Sequence, residues 1–385
     1  MSTLARTTLA EFLGDAIVYR SLDPLDPRLP RYAALAPLIG LPTGAVPRKR
    51  EPAYAHAVAG LLRAAASLRA PSGGIDRVLL VGDTRGNDAT AFGRICRAGG
   101  WPGIAFIGVD RPDQPAGWEV SQEGERTLVF STRWRLLDAL DAFCWERSFP
   151  IDERTVVILD IDKTAIGARG RNDGAIDRAR IDAVHRTLRD LLGRAPAWDD
   201  CRMLYERINR PALHRLTADN QDVIAFLCLA VEGGLVPAAA LVDDDASFHF
   251  GGLGDLLDAV DDRTGRLPPA ALDVQRRFRD GIRRGAAPEF DAFRRNEYVA
   301  TVERMGLLSD DAPREERLAE EITITAEVRA AALRWRERGA LVVGLSDKPD
   351  AASLPTDEMA AAGRRPLHRT EARVVGDVGR GTAAA

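Results

Sequence analysis

The sequence predicts an α/β fold: a three-layer core with a mainly parallel sheet, interrupted by a large helical insertion. Three observations lead to this prediction. Short apolar segments recur without polar alternation, which is typical of strands buried on both faces of a parallel sheet. Segments of helical periodicity separate these strand candidates, as in repeated strand-helix-strand units. Between residues 166 and 338, by contrast, helical patterns dominate.

The strand candidates can be placed in chain order. They are residues 78–82, 103–109, 127–130, 155–159 and 340–345, with a last candidate at 371–375. Helical periodicity follows Pro52, begins again near Ala89 and extends over residues 133–146. This alternation predicts a Rossmann-like sheet, and open sheets of that kind bind ligands beyond the carboxyl ends of their strands.

Two aspartates follow the candidate strand at residues 155–159. Asp160 and Asp162 are separated by one residue, so a continued extended chain would direct both carboxylates to the same side. Two neighbouring carboxylates repel each other. Such a pair therefore holds a divalent cation, divides acid and base roles between its members, or does both.

A second acidic constellation follows the strand candidate at residues 78–82. Gly82 and Gly86 allow a tight turn in which backbone can approach an ion or a phosphate. Asp83 and Asp88 offer oxygen ligands of the kind that a hard cation such as magnesium prefers.

Lysine is rare, and each lysine lies in a segment of interest. Lys49, Lys163 and Lys348 are the three lysines among 53 basic residues. A compact ammonium differs chemically from a planar guanidinium, so these positions are candidates for a phosphate site. Lys348 follows Ser346 at the end of a strand candidate, where a hydroxyl and backbone N–H groups could hold a phosphate.

Together these segments resemble the four motifs of the haloacid dehalogenase (HAD) superfamily of phosphohydrolases: Asp-x-Asp-x-Thr, a serine after a second strand, a basic residue before a helix, and Gly-Asp-x-x-x-x-Asp. The resemblance implies that Asp160 is the nucleophile that forms an aspartyl phosphate and that Asp162 is the general acid and base. The implied phosphate-binding residues are Thr164, Ser346, Lys49 and Lys348. The implied magnesium ligands are Asp160, Asp162, Asp83 and Asp88.

The assignment of the basic motif leaves alternatives open. Lys49 is flanked by Arg48 and Arg50, and an exposed basic trio is often a solvated turn. Lys348 could contact the phosphate or cap the following helix instead.

The motif order differs from the usual order of the superfamily, because Asp83 precedes Asp160. We therefore interpret the chain as a circular permutation. Such a rearrangement is physically cheap where the original termini lie close together and the new break falls in an exposed loop. The predicted organisation is a first core segment at 1–165, a helical insertion at 166–338 and a second core segment at 339–385.

The insertion resembles the helical cap that closes over the substrate in this superfamily. Its helical patterns are clearest at residues 219–231, 271–282 and 315–335. A glycine-rich, basic segment near its start contains Arg169, Arg171 and Asn172, which could form a hinge and bring guanidinium groups to a substrate anion. His214 lies in a polar cluster that could contact the substrate or simply begin a helix.

Composition excludes several functional classes. A net charge of −4 gives no electrostatic footprint for nucleic acid. No apolar run reaches the length of a membrane span, and the amino-terminal sequence lacks the pattern of a signal peptide. The four cysteines form no Cys-x-x-Cys pair, which favours a reducing cytoplasm and no structural zinc.

The predicted function is a magnesium-dependent phosphatase that acts on a small phosphorylated metabolite. A phosphomutase or phosphotransferase would use the same motifs, and a binding or scaffold protein could retain the core without turnover. A metal-dependent glycosyltransferase also uses Asp-x-Asp, but it would leave the Gly-Asp turn and the serine unexplained. The substrate and the oligomeric state stay open at this stage.

Overall fold

The computed structural model describes residues 5–70, 74–194, 196–241, 250–285 and 288–377. The chain forms two compact units. The first comprises the chain up to Ile176 together with the chain from Val302 onward, and the second comprises Asp177–Thr301.

The first unit is built on a seven-stranded sheet. The strands of the chain are β1 (Arg6–Thr7), β2 (Ile17–Val18), β3 (Arg77–Gly82), β4 (Gly103–Gly108), β5 (Trp118–Glu123), β6 (Arg126–Ser131), β7 (Thr155–Asp160), β8 (Ile324–Thr325), β9 (Leu341–Leu345) and β10 (Ala372–Val375). The order in the large sheet is β2-β9-β7-β3-β4-β6-β5. All neighbours are parallel except β5 and β6, which form an antiparallel hairpin.

Helices account for much of both units. The α-helices are α1 (Ala10–Leu13), α2 (Tyr32–Leu35), α3 (Pro52–Arg69), α4 (Thr90–Gly99), α5 (Leu140–Glu146), α6 (Asp173–Leu192), α7 (Trp198–Ile208), α8 (His214–Thr217), α9 (Gln221–Glu232), α10 (Ala238–Leu241), α11 (Leu253–Ala259), α12 (Pro269–Arg283), α13 (Asp291–Glu303), α14 (Arg314–Glu320), α15 (Ala326–Glu337) and α16 (Asp357–Ala361). Short 3₁₀ turns cover Ala36–Ile39, Trp134–Ala139, Pro211–Leu213, Asp261–Arg266, Asp350–Ala352 and Leu367–Arg369, and a π-helical turn covers Arg85–Ala89. No helix in the described part of the chain is long and apolar enough to cross a membrane.

The large sheet is buried on both faces, as its apolar strands predict. On one face, Leu80 and Ile158 belong to a core that includes α3 and α4. On the other face, Phe106 contacts Trp134, with 6.3 Å between ring centroids. Side chains point alternately to the two faces of a sheet, so only strands that are apolar at successive positions can pack against the cores on both faces.

The strand predictions at residues 78–82, 103–109, 127–130, 155–159 and 340–345 are confirmed by β3, β4, β6, β7 and β9. The last candidate also forms a strand, but β10 joins β1 and β8 in a separate three-stranded sheet. The sequence analysis missed two strands of the large sheet. β2 is only two residues long, and β5 carries a polar sequence typical of an edge.

Two helical predictions need correction. Residues 133–146 begin with a 3₁₀ turn, and only Leu140–Glu146 is α-helical. The helix predicted over residues 315–335 is interrupted by β8, where Ile324 pairs with Val374. The hydroxyl of Thr325 donates to the carbonyl of Thr164 at 2.5 Å, so tertiary hydrogen bonds override local helical periodicity here.

The second unit is helical and has its own apolar core. Phe226 and Phe278 stack in this core with 4.3 Å between ring centroids. A buried ion network fixes its helices: Arg294 donates to both carboxylate oxygens of Asp222 at 2.8 Å and to Glu297 at 2.7 Å. Breaking such a network on one side costs about 3–5 kcal/mol because a charge is left buried without its partner.

Candidate functional site

Parallel register brings three predicted site segments to one edge of the large sheet. Strand β7 lies between β3 and β9. Asp160 is paired with Leu345, the residue before Ser346. Leu159 is paired with Val81, two residues before Asp83. Asp83, Asp160 and Ser346 therefore emerge together beyond the carboxyl ends of their strands, where α/β sheets bind ligands.

Three carboxylates converge at this edge and form what we call the carboxylate cluster: Asp83, Asp88 and Asp160. One oxygen from each lies within 4.8 Å of the others. All three residues are buried. Grouped carboxylate oxygens suit a hard divalent cation such as Mg²⁺, so the donor set fits the predicted metal.

Lys49 lies between two members of the carboxylate cluster. Its ammonium is 2.6 Å from a carboxylate oxygen of Asp88 and 3.2 Å from one of Asp160. The segment that carries Lys49 precedes α3, which begins at Pro52. Within the basic trio, Lys49 is the residue buried in the cluster, whereas Arg50 is exposed and donates to the Asn87 side chain.

The turn after β3 fixes the position of the Asp88 carboxylate. One of its oxygens accepts hydrogen bonds from the backbone N–H of Asp83 at 3.0 Å and from the N–H and hydroxyl of Thr84, both at 2.8 Å. The chain forms a π-helical turn over Arg85–Ala89 before α4 begins, and such turns are frequent at functional sites. A β-carbon on Gly82 would lie 2.8 Å from that of Asp88, so this approach requires glycine.

Burial and mutual repulsion control the charges of the cluster. Burial raises the pKa of Asp160 well above its usual range; Lys49 opposes this rise, whereas the neighbouring carboxylates add to it. Burial, reinforced by Asp88, raises the pKa of Asp83 to about 7. Burial also disfavours the Asp88 carboxylate, but the Lys49 charge together with hydrogen bonds from Asp83, Lys49 and Thr84 outweighs it and holds the pKa of Asp88 below its usual range. Lys49 therefore contacts two of the carboxylates and Arg169 pairs with the third, Asp83; two cationic side chains face three carboxylates, and a bound cation would relieve the remaining repulsion.

Asp162 departs from the prediction, because its carboxylate does not belong to the carboxylate cluster. Strand β7 ends at Asp160, and the chain then turns, with the N–H of Thr164 donating to the carbonyl of Ile161 at 3.3 Å. Lys163 in this turn has a φ of 62°. The extended geometry that would align the two aspartates therefore stops one residue too early. The predicted role of Asp162 as a carboxylate ligand of magnesium is not supported.

The Asp162 carboxylate faces the other buried lysine instead. An oxygen of Asp162 lies 3.7 Å from the ammonium of Lys348, whose own side chain is buried. Lys348 donates its backbone N–H to the hydroxyl of Ser346 at 3.2 Å. The hydroxyl of Thr164 is buried and has no hydrogen-bond partner among the described residues. This group of hydroxyls and ammonium lies on loops next to Asp160 and could bind an oxyanion.

Of the basic segment after Thr164, only Arg169 reaches the carboxylate cluster, where it forms an ion pair with Asp83. Arg171 is held instead by Asp110 and Glu327 in buried ion pairs.

Asn172 is buried and its amide is used in structural hydrogen bonds. It donates to the carbonyls of Leu318 and Glu321 and accepts from the N–H and hydroxyl of Thr323. These contacts argue against the substrate role predicted for Arg171 and Asn172, because their polar atoms already have partners within the fold.

His214 lies in the helical second unit. It is exposed at the start of α8, and its imidazole is 3.7 Å from the Asp219 carboxylate. Its described charged partner is thus a residue of its own segment, and no contact with the carboxylate cluster is described for it.

Tyr54 is a site residue that the sequence analysis missed. Its side chain is buried in the first turn of α3, and its hydroxyl has no hydrogen-bond partner among the described residues. Burial raises the pKa of the Tyr54 hydroxyl, while the neighbouring Lys49 charge opposes that rise. The sequence could have indicated Tyr54 as a site residue, because it lies two residues after Pro52, in the first turn of the helix that follows the basic motif.

In comparisons with known proteins, no family model, curated sequence or solved structure matches this chain.

Proposed function

We propose that this protein is a magnesium-dependent phosphatase that hydrolyses a small phosphomonoester through an aspartyl phosphate on Asp160. The observation that carries the proposal is the buried carboxylate cluster around Lys49 at the carboxyl ends of β3 and β7. A purely structural core gains little from three clustered buried carboxylates that face only Lys49 and Arg169, because each buried charge must be compensated.

The metal would be held by Asp83 and Asp160, with Asp88 in support. Magnesium at this position would neutralise charge on the phosphate and so favour attack by a carboxylate. Lys49 keeps Asp160 and Asp88 in place by contacting both. One Asp88 oxygen already accepts three hydrogen bonds from the turn after β3. This fits a residue that orients the metal ligands.

The chemistry then follows from the protein groups. A carboxylate oxygen of Asp160 attacks phosphorus, and the bond from phosphorus to the leaving oxygen breaks. Asp162, outside the cluster and partly exposed, protonates that oxygen and afterwards removes a proton from the water that hydrolyses the acyl phosphate. The hydroxyls of Thr164 and Ser346 and the ammonium of Lys348 stabilise the phosphoryl oxygens in the transition state.

The resemblance to HAD phosphohydrolases with permuted motif order is part of this proposal. Supporting it, β7 lies between the strand that precedes the Gly-Asp turn and the strand that precedes Ser346. Further support comes from Lys49, which precedes both aspartate motifs in the chain yet contacts Asp160. We also propose that the helical second unit acts as the cap.

The decisive experiment measures phosphate release from a panel of sugar, nucleotide, amino-alcohol and cofactor phosphates in the presence of Mg²⁺. Asp160→Asn is expected to abolish release, and chelation is expected to do the same to the unaltered protein. The matched control is Asp357→Asn, at an exposed aspartate in α16, which should retain full activity. Equal release by Asp160→Asn and the unaltered protein would refute the mechanism.

A further inference from the structure

A cleft of about 630 Å³ opens next to the carboxylate cluster within the first unit, and the chemistry above does not use it. Its volume is within the usual range of small-molecule sites. It lies beyond the carboxyl ends of β3, β4 and β6. The lining residues that matter here are Asp83, Arg85, Arg111, Trp118, Phe130 and Arg169.

The cleft and the carboxylate cluster share Asp83. The carboxylate of Asp83 belongs to the cluster, within 4.8 Å of an Asp160 oxygen, and the same residue lines the cleft. Arg169, which is ion-paired with Asp83, also lines it. The cleft therefore offers space for the remaining atoms of a substrate beside one member of the carboxylate cluster, Asp83.

The charges of the cleft favour an anion. Three guanidinium groups line it, against the carboxylates of Asp83 and Glu119. Arg169 pairs with Asp83, and Arg85 pairs with Glu119 at 2.8 Å. Arg111 is exposed and forms no ion pair with any described residue, so it can bind an anionic group of a ligand.

The same cleft offers flat surfaces. The guanidinium carbon of Arg85 lies 3.6 Å from the centroid of the Phe130 ring, which holds a planar cation in a fixed orientation. Trp118 is held by an edge-to-face contact with Phe143 at 5.3 Å. Aromatic and guanidinium planes stack on ring systems, and such contacts are typical of sites that bind heterocycles.

We propose that this cleft binds the alcohol part of the substrate, and that this part carries both a flat ring system and a second anionic group. The substrate class is thus a nucleoside bisphosphate or a phosphomonoester of equivalent chemistry. The inference rests on the proposed phosphatase function. It assigns substrate selection to the edge of the core sheet, with Arg111 binding the second anion and Arg85 and Trp118 contacting the ring.

The test compares kcat/KM for three phosphomonoesters: adenosine 3′,5′-bisphosphate, adenosine 5′-monophosphate and ribose 5-phosphate. The proposal predicts that kcat/KM falls in that order, by about tenfold at each step. The monophosphate lacks the second anionic group, and the sugar phosphate also lacks the ring system. Arg111→Gln should reduce the preference for the bisphosphate over the monophosphate about tenfold. Trp118→Ala should reduce the preference for the nucleotide over the sugar phosphate.

The matched control is Arg97→Gln, an exposed arginine in α4 that does not line the cleft. It should leave both preferences unchanged. Equal kcat/KM for all three compounds, or preferences that survive both cleft substitutions, would overturn the assignment while leaving the phosphatase itself intact.

A binding measurement separates failure of the cleft from failure of the catalytic proposal. Calorimetric titration of the Asp160→Asn variant with adenosine 3′,5′-bisphosphate and Mg²⁺ needs no turnover. Adding Arg111→Gln should weaken binding about tenfold. An unchanged Kd would reject the cleft, even if no compound in the panel releases phosphate.

Discussion

Asp83 is the residue at which the carboxylate cluster, the cleft and the basic segment meet. Its carboxylate belongs to the carboxylate cluster, lines the cleft and pairs with Arg169. Burial raises its pKa to about 7, with Asp88 adding to the effect and Arg169 opposing it. A free aspartate ionises near pH ~3.9, so the folded protein holds this proton over a pH range in which the unfolded chain has lost it.

The first prediction concerns the pH dependence of magnesium binding. Because the folded-state pKa of Asp83 is raised, its ionisation costs folding free energy as the pH increases from the unfolded pKa to about 7. A bound cation requires the ionised form of Asp83, and its binding free energy offsets the cost of that ionisation. Magnesium affinity is therefore expected to rise between about pH 6 and about pH 8, and the magnesium-induced increase in Tm should be larger at the higher pH.

The measurement is calorimetric titration with Mg²⁺ across that range, together with thermal unfolding. Asp83→Asn provides the comparison, since it removes the titrating group. An affinity that is flat with pH in the unaltered protein would contradict the raised pKa of Asp83.

The turn between β3 and α4 shows how one element builds a site. Gly82 ends the strand, Thr84 supplies two of the donors to Asp88, and the π-helical turn then leads into α4. Without a β-carbon on Gly82, the Asp88 carboxylate lies directly against the strand end. This close approach lets one carboxylate satisfy backbone donors with one oxygen and Lys49 with the other.

The second prediction uses the two glycines of this turn. An alanine methyl at Gly82 would lie 2.8–2.9 Å from the Asp88 side chain, whereas one at Gly86 would meet nothing within 4 Å. Gly82→Ala is expected to destabilise the fold by about 1–3 kcal/mol through overpacking. It should also lower kcat/KM at least about tenfold by displacing Asp88 and Lys49.

Gly86→Ala is the matched control and should stay near the unaltered protein in both unfolding free energy and activity. Similar effects of the two substitutions would mean that the turn merely needs flexible residues, and that the close approach at Gly82 has no special role.

At the element scale, the apolar strands were predictable because burial on both faces leaves a clear local pattern. The conformations of the turns after these strands were harder to predict. The sequence indicated Asp83 and Asp88 as partners, and the structure brings them together. It wrongly aligned Asp162 with Asp160, because the end of β7 depends on hydrogen bonds that no local pattern reports.

At the scale of the whole molecule, the small sheet brings the two ends of the described chain side by side. Strand β1 pairs antiparallel with β10, with Arg6 opposite Arg373 and Thr7 opposite Ala372. Paired residues in such a ladder are about 5 Å apart. A short linker could therefore join the ends, which is the geometric condition for relating this chain to an unpermuted arrangement.

The third prediction is that the chain tolerates rearrangement. Joining residue 377 to residue 5 by a short Gly/Ser linker and opening the exposed loop between Arg147 and Ser148 would place the Asp160 motif first and the Asp83 motif last. This variant should fold and bind Mg²⁺ with unchanged affinity, since β7 and its neighbours are preserved. Circular dichroism, thermal unfolding and calorimetry test the expectation.

The control is the chain in its own order, trimmed to residues 5–377. If the control folds and the rearranged chain does not, the linked arrangement is incompatible with this core, and the permutation hypothesis loses its main physical support.

The sequence by itself determined five of the seven strands of the large sheet, the helix after Pro52 and the position of aspartates at strand ends, because these features depend on local periodicity and residue type. Only the tertiary structure decided which lysine contacts which aspartate, that Arg171 and Asn172 have partners within the fold, and that a basic cleft opens beside Asp83. The physical reason is separation along the chain. Lys49 and Asp160 are 111 residues apart, and their contact depends on sheet order and register, which local pattern does not encode.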